Sequence, residues 1–251
     1  MELIAQISDL HLNDGLSKHF SVNIKKNLSV IFKDLKRKNI SDIVFTGDYG
    51  NKDSFYWLKS QIDKYHFRTT FILGNHDSLF DLVDSNLIPK SLVKEKDQLY
   101  FSQNIYNNRI FMYLDTSKGE IDYKQIIWLK KEIDQMCDLV IFSHHPIIDC
   151  DSWITDYQMG LKNKESVQKI FFNHKGTIQI YSGHYHTELF IEKDNIKQYI
   201  TPAVIMQLNY ENNKITTDSF NFGYKILYIS EDCITSENVL FSGQGINKPW
   251  N

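Results

Sequence analysis

The apolar positions of this chain switch repeatedly between two spacings. Residues 2–8 carry Leu3, Ile4, Ala5 and Ile7 in one short run of strand length. The stretch 21–38 then places Ile24, Leu28, Ile31, Phe32 and Leu35 three or four apart, the spacing of one helix face. A second apolar run over 42–46 is followed by Phe55, Leu58, Ile62 and Tyr65 at helical spacing, then by a third run over 69–73. Strand and helix in alternation predict parallel βαβ units. Further along, 98–101 and 109–114 predict strands joined by a polar turn over 104–108. Ile126, Leu129, Ile133 and Met136 mark a helix, 139–142 a strand, 165–172 a helix and 177–181 a strand. Runs over 188–192, 195–201, 224–229 and 234–241 predict β-hairpins. No linker rich in Pro, Gly or Ser divides the chain, so one domain over 1–241 is expected. The irregular stretch 149–163 is expected to overhang whatever lies after residue 142, and the tail 242–251 to be poorly ordered.

Composition narrows the possibilities. Apolar residues make up 42% of the 251 positions, enough for a real core, and charged residues 24%. The net charge of −3 gives no global positive field, so neither nucleic acid nor an anionic membrane is an expected partner. Cys137, Cys150 and Cys233 form neither an even set nor a CxxC pair, which is no disulfide framework and fits a reducing compartment. The first strand follows Met1 almost at once, with no basic segment and long apolar stretch ahead of it, and no run reaches the length of a membrane span. A cytoplasmic protein is expected.

The chemistry is concentrated at strand ends. Six of the nine histidines fall in five motifs: Asp9-Leu10-His11, Gly47-Asp48, Gly74-Asn75-His76-Asp77, His144-His145-Pro146 and Gly183-His184-Tyr185-His186. Each of the five follows an apolar run. Residues two apart in an extended chain point the same way, so Asp9 with His11, and His184 with His186, can each turn two ligands toward one ion. In open α/β sheets the carboxyl ends of the strands form the binding edge. Imidazole, carboxylate and amide oxygen suit Zn, Mn or Fe, and no Cys occurs among them. Taken singly, each motif has a plainer explanation. Asp9-Leu10-His11 reads as a strand-end turn, Gly47-Asp48 as an ordinary turn, and the histidine pairs as surface clusters. Their joint occurrence after successive strands is what argues for a metal centre. His19, His66 and His174 match no motif and read as surface or helix-end residues; His145 reads as packing or support for a neighbouring ligand.

In this order the motifs resemble the calcineurin-like metallophosphoesterase superfamily, over roughly the whole of 1–241. Several stretches resemble its class III cyclic-nucleotide phosphodiesterases in particular: Ile7-Ser8-Asp9-Leu10-His11-Leu12, Thr46-Gly47-Asp48, His144-His145-Pro146, Thr201-Pro202-Ala203 with Gln207, and Gly223-Tyr224. The resemblance implies an α/β fold, a four-layer α/β/β/α sandwich with two mixed β-sheets. It implies two divalent or mixed-valence metal ions (Mn, Fe or Zn). Asp9, His11 and His186 would hold one, Asn75, His144 and His184 the other, with Asp48 bridging. It further implies that His76 faces the scissile phosphate as a catalytic residue, oriented by Asp77, and that a metal-bridging hydroxide attacks a small anionic phosphodiester, 3′,5′-cyclic AMP being the leading candidate. A monomer or a homodimer is expected.

Two departures bear on substrate. Gly47-Asp48 continues as Tyr49-Gly50-Asn51-Lys52, and His144-His145-Pro146 is followed by Ile147 where the group often has a second proline. Neither removes a ligand. Other branches fit less well: the Gly-Asp-x-x-Asp-Arg-Gly stretch of phosphoprotein phosphatases is missing, and so is the basic surface of a repair nuclease. The competing readings are a phosphatase or diesterase for another small phosphate ester, nucleotide or lipid headgroup, and a scaffold that kept the fold and lost catalysis. The second competitor is disfavoured by the full ligand set and His76.

Overall fold

The computed structural model describes residues 1–94, 97–105, 109–133, 137–150, 160–211 and 214–250. The chain forms two mixed sheets. In the first, β13 (Ile234–Phe241), β12 (Phe222–Ile229), β1 (Glu2–Ile7), β2 (Asp42–Phe45) and β3 (Arg68–Phe71) lie side by side in that order. Strands β1, β2 and β3 are parallel, as the alternating pattern predicts, and β12 and β13 extend the sheet antiparallel. The second sheet runs β4 (Phe101–Ile105), β5 (Arg109–Tyr113), β6 (Asp138–Phe142), β7 (Ile178–Ser182), β9 (Ile196–Ile200) and β8 (Leu189–Lys193). Its four central strands are parallel and its two edge pairs antiparallel.

Alternation along the second sheet sorts side chains between two cores. Phe111, Tyr113, Val140, Phe142 and Tyr181 join the larger core facing the first sheet. Met112, Leu139, Ile141, Ile178 and Ile180 face a smaller core with Leu129 and Ile133 beside α5 (Tyr123–Glu132), and with Val167 and Phe171 of α6 (Lys164–Phe172). On the inner face Phe101, Tyr113, Phe142, Tyr181 and Tyr199 stack strand to strand at centroid spacings of 4.5, 5.4, 5.6 and 5.1 Å. Beyond the first sheet, α2 (Ile24–Arg37) buries Leu28, Ile31, Phe32 and Leu35, while Asn23 caps it by accepting from the Lys26 amide. Phe55, Leu58 and Ile62 do the same for α3 (Phe55–Tyr65). The result is the four-layer α/β/β/α sandwich. Burial of each such apolar side chain contributes about 1.5–3 kcal/mol.

The structure departs from the sequence pattern in four places. Residues 98–100 do not form a strand; β4 starts at Phe101 because Leu99 and Tyr100 bury as a connector, with the Leu99 amide donating to Asp115. Two short helices, α1 (Gly15–His19) and α4 (Leu79–Asp84), are too brief to show a periodicity. A separate hairpin pairs β10 (Gln207–Glu211) with β11 (Lys214–Ser219). The tail, expected to be poorly ordered, packs back on α1: the Ile246 amide donates to the Phe20 carbonyl (2.7 Å), and the Trp250 ring lies 4.9 Å from that of Phe20. Met136, most of the expected turn over 104–108 and most of the expected overhang over 149–163 lie outside the described residues. Among the described residues, no helix is long and apolar enough to cross a membrane.

Candidate metal centre

All five motifs leave their strands at one edge. Asp9 follows β1, Gly47-Asp48 follows β2, Gly74-Asn75 follows β3, His144 follows β6 and Gly183-His184 follows β7. Three come from the first sheet and two from the second, so the site lies where the carboxyl ends of both sheets meet. Backbone bonds lock the motifs together. The Asp9 amide donates to the Gly47 carbonyl, the His11 amide to that of Asp48, and the Gly183 amide to that of His144. The backbone here is also unusual. Asp9, His11, Asp48, His184 and His186 have φ of 56°, 49°, 57°, 71° and 47°, the left-handed region that non-glycine residues rarely adopt. Such conformations persist where the surroundings over-determine them, and they cluster at functional sites.

Two triads result. Ligand atoms of Asp9, His11 and His186 lie within 4.8 Å of one another, as do those of Asp48, His144 and His184, and all six residues are buried. Asp48 sits between the triads: its Oδ2 is 3.4 Å from His144 Nε2 and 3.7 Å from His11 Nε2. Beside the second triad, Asn75 Oδ1 lies 3.0 Å from His144 Nε2. The glycines make room for this. A Cβ on Gly74 would collide with Asp48 Oδ1, and one on Gly183 with Asp9 Oδ2.

The imidazoles are presented for coordination. His144 Nδ1–H donates to the Thr46 carbonyl (2.7 Å), leaving Nε2 toward Asp48. His11 Nδ1–H donates to Asp14 Oδ2 (2.6 Å), and His11 Nε2 is buried without a hydrogen-bond partner, while His186 turns Nε2 to within 3.4 Å of Asp9 Oδ1. Buried polar atoms left unpaired are costly, and a cation removes that cost. The electrostatics point the same way. Burial works against the charge on Asp9, but His186 and His144 overcome it and hold the carboxyl down at about 2. Burial likewise opposes a charged His144, yet Asp48 and Asp9 push it up to about 10. Asp48 is held well below the usual carboxylate range by His144 and His11 against the same burial. Without metal, the carboxylates favour protons on His11 and His144, so the cluster demands positive charge. The donors therefore fit a dinuclear centre of divalent ions, and the chain is equipped as a metal-dependent hydrolase.

His76 stands apart from the triads. It is exposed at the mouth of the cavity, its ring 5.5 Å from that of His11, and its amide donates to Asp48 Oδ1 (3.0 Å). The hydrogen bonds of Asp77 go to backbone amides. Asp77 Oδ2 accepts from the amides of Asp48 and Gly74, and Oδ1 from that of Tyr49, all at 2.7–2.8 Å. Three convergent amides outcompete the adjacent imidazole, so Asp77 ties the turn after β3 to the turn carrying Asp48. Burial and the Asp48 charge push this carboxyl up to about 7, against the amides that favour its ionised form. His145 lies 4.2 Å from His184 ring to ring, and its amide donates to Thr116 Oγ1 (3.1 Å). Burial and the two neighbouring histidines drive its imidazole far down, so it stays neutral.

Sequence reasoning missed Asp14. It accepts from His11 and also caps α1 by accepting from the Ser17 amide (2.9 Å). An Asp placed before a short helix, three residues after a ligand, was the available signal. It also missed the hairpin residues Leu208 and Ile215 and the tail residue Trp250, which line the cavity.

A family model described as calcineurin-like phosphoesterase matches residues 3–188. A Fibrobacter succinogenes protein named "Probable cyclic nucleotide phosphodiesterase" is 27% identical over 216 residues, 82% of this chain and 81% of its own. The Haemophilus influenzae 3′,5′-cyclic adenosine monophosphate phosphodiesterase CpdA is 20% identical over 245 residues, 91% of this chain and 86% of its own. Among solved structures, a dimetal phosphatase from Danio rerio shares the fold with a TM-score of 0.74 at 13% identity, covering 98% of each chain.

Proposed function

The chain belongs to the calcineurin-like phosphoesterase family, and from that premise we propose that it hydrolyses a small phosphodiester, 3′,5′-cyclic AMP being the substrate to test first. One observation carries the dinuclear reading of the site: Asp48 Oδ2 lies within 3.7 Å of a nitrogen from each triad, the place of a bridging carboxylate. Asp9, His11 and His186 would hold one ion, Asn75, His144 and His184 the other. When bound, two such ions supply Lewis acidity and a water made nucleophilic near neutral pH. The chain's own residues do the rest. The two triads fix where a phosphate can sit. His76, at the cavity mouth, is placed to donate a proton to the leaving oxygen and to balance charge on the phosphate.

Three features support a small diester. The cavity holds about 480 Å³, the size of a small-molecule site. Its described lining contains no Arg or Lys, the clamp that a monoester dianion benefits from. The relatives named for cyclic nucleotides align over most of both chains. The proposed setting is the cytoplasm, in keeping with three cysteines that lack CxxC spacing.

The test is a hydrolysis panel on protein loaded with Mn, Fe or Zn. We expect bis-p-nitrophenyl phosphate to be cleaved faster than the corresponding monoester, and cyclic AMP to be cleaved. Preference for the monoester, with cyclic nucleotides untouched, overturns the phosphodiesterase reading.

A further inference from the structure

The metal cavity has a second, apolar part that the phosphate chemistry does not use. Leu16 of α1, Leu208 and Ile215 of the β10–β11 hairpin, and Trp250 of the tail all line it together with the metal-site residues. These four come from three separate parts of the chain, and each part is tied to the site. The Leu208 amide donates to the His186 carbonyl (2.7 Å). Helix α1 is capped by Asp14, the partner of His11. The tail is fastened to the end of α1 by the Ile246 amide on the Phe20 carbonyl and by a bond between His19 Nε2 and the Pro249 carbonyl (3.0 Å). Its path is close enough to Phe220 that a Cβ on Gly245 would strike that ring. Phe20 packs on both Phe220 and Trp250, at 6.4 and 4.9 Å. The tail is thus a strap that delivers one indole to the cavity.

Trp250 carries a further mark. Its indole N–H is shut from solvent and has no hydrogen-bond partner. A buried indole N–H normally finds an acceptor, and an unpaired one is costly. The ring is therefore held in place by packing alone, against Phe20.

We propose that Trp250, with Leu208 and Ile215, forms the seat for a planar aromatic group on the substrate ester, namely a nucleobase, and so sets specificity for nucleotides over other small phosphate esters. This rests on the reading of the metal cavity as a phosphoester site. An apolar wall beside the phosphate position favours a ring over a sugar or polyol, because a base gains stacking and desolvation there while a hydroxylated group gains neither.

The test is binding, so that it does not depend on turnover. Calorimetry on metal-loaded protein compares adenosine 5′-monophosphate with ribose 5-phosphate, which has the same phosphate and sugar but no base. Metal content is measured for every sample. Base stacking on an aromatic side chain predicts about tenfold or more tighter binding of the nucleotide to the wild type. The gap between the two ligands should close in Trp250→Ala and return in Trp250→Phe, which keeps the ring. A gap absent from the wild type, or intact in Trp250→Ala, overturns the proposal. A merely structural role for the strap would weaken both ligands together and leave the gap intact. A base-dependent gap in a protein that fails to cleave cyclic nucleotides would overturn the phosphodiesterase reading and leave the base seat standing.

Discussion

Asp14 Oδ2 lies 2.6 Å from His11 Nδ1, and this bond fixes which imidazole nitrogen faces the metal site. With Nδ1 engaged, the ring presents Nε2, which is buried and otherwise unpaired. Asp14 thereby acts on a metal without touching it, by orienting the ring and raising its basicity. Asp14→Asn should fold, bind metal about 10–100-fold more weakly and lose activity that excess metal restores. Competition with a calibrated chelator measures the affinity. Unchanged metal affinity would reduce Asp14 to a helix cap.

Asp48 is the most demanding position in the site, because one side chain serves both triads. Asp48→Asn keeps the shape but removes a charge that two cations need, and it weakens both sites together. We expect bound metal to fall below two equivalents by elemental analysis, and hydrolysis to be lost. Two tightly held ions in a fully active Asp48→Asn protein would falsify the bridging assignment.

His76 and Asp77 are neighbours in sequence with separable roles. His76→Ala should leave metal content near wild type and lower turnover by about 10²–10⁴, the usual weight of acid–base assistance. The loss should shrink for a diester with a good leaving group. Asp77→Asn should behave differently. Its two oxygens hold the amides of Asp48, Tyr49 and Gly74, so the substitution loosens the turn that positions Asp48. Metal content and turnover should fall together. Loss of turnover alone in this variant would show that Asp77 acts through His76 after all.

The legible parts of this protein are those in which a local pattern carries its own meaning. The apolar run ending in Asp9-Leu10-His11 announces both a strand and two ligands of one triad, but His184 and His186, of the same spacing, part into different triads because both leave the extended conformation, with φ of 71° and 47°. Adjacency to His76 gave no sign of the Asp48 and Tyr49 amides that converge on the Asp77 carboxylate from 29 and 28 residues away. The β10–β11 hairpin stayed hidden because β11 alternates between exposed and partly exposed positions, with no buried face to mark it. Trp250 is 230 residues from Phe20, and nothing short-range in the tail reveals that contact. Asp14 belongs to none of the five motifs, and only the fold shows its bond to His11.

The joint between α2 and the first sheet gives a prediction about pH. Asp34 Oδ2 accepts the Tyr224 hydroxyl (2.7 Å), joining the helix to β12, while Oδ1 accepts from Arg37 (2.6 Å). Burial opposes the charge, but the Tyr224 hydroxyl and Arg37 outweigh it and lower the Asp34 pKa. An unfolded Asp titrates at about 3.9. As pH falls, the unfolded chain therefore takes up this proton before the folded one does. The stabilisation is present in full above about pH 4 and is lost as pH falls through the lower folded value. Asp34→Ala should cost about 1–3 kcal/mol at neutral pH, since it leaves a buried tyrosine hydroxyl without its acceptor. Urea unfolding of both proteins across the acid range measures the difference. It should stay constant near neutrality and narrow below about pH 4. A difference that did not narrow would mean that Asp34 acts by packing, with its charge contributing nothing.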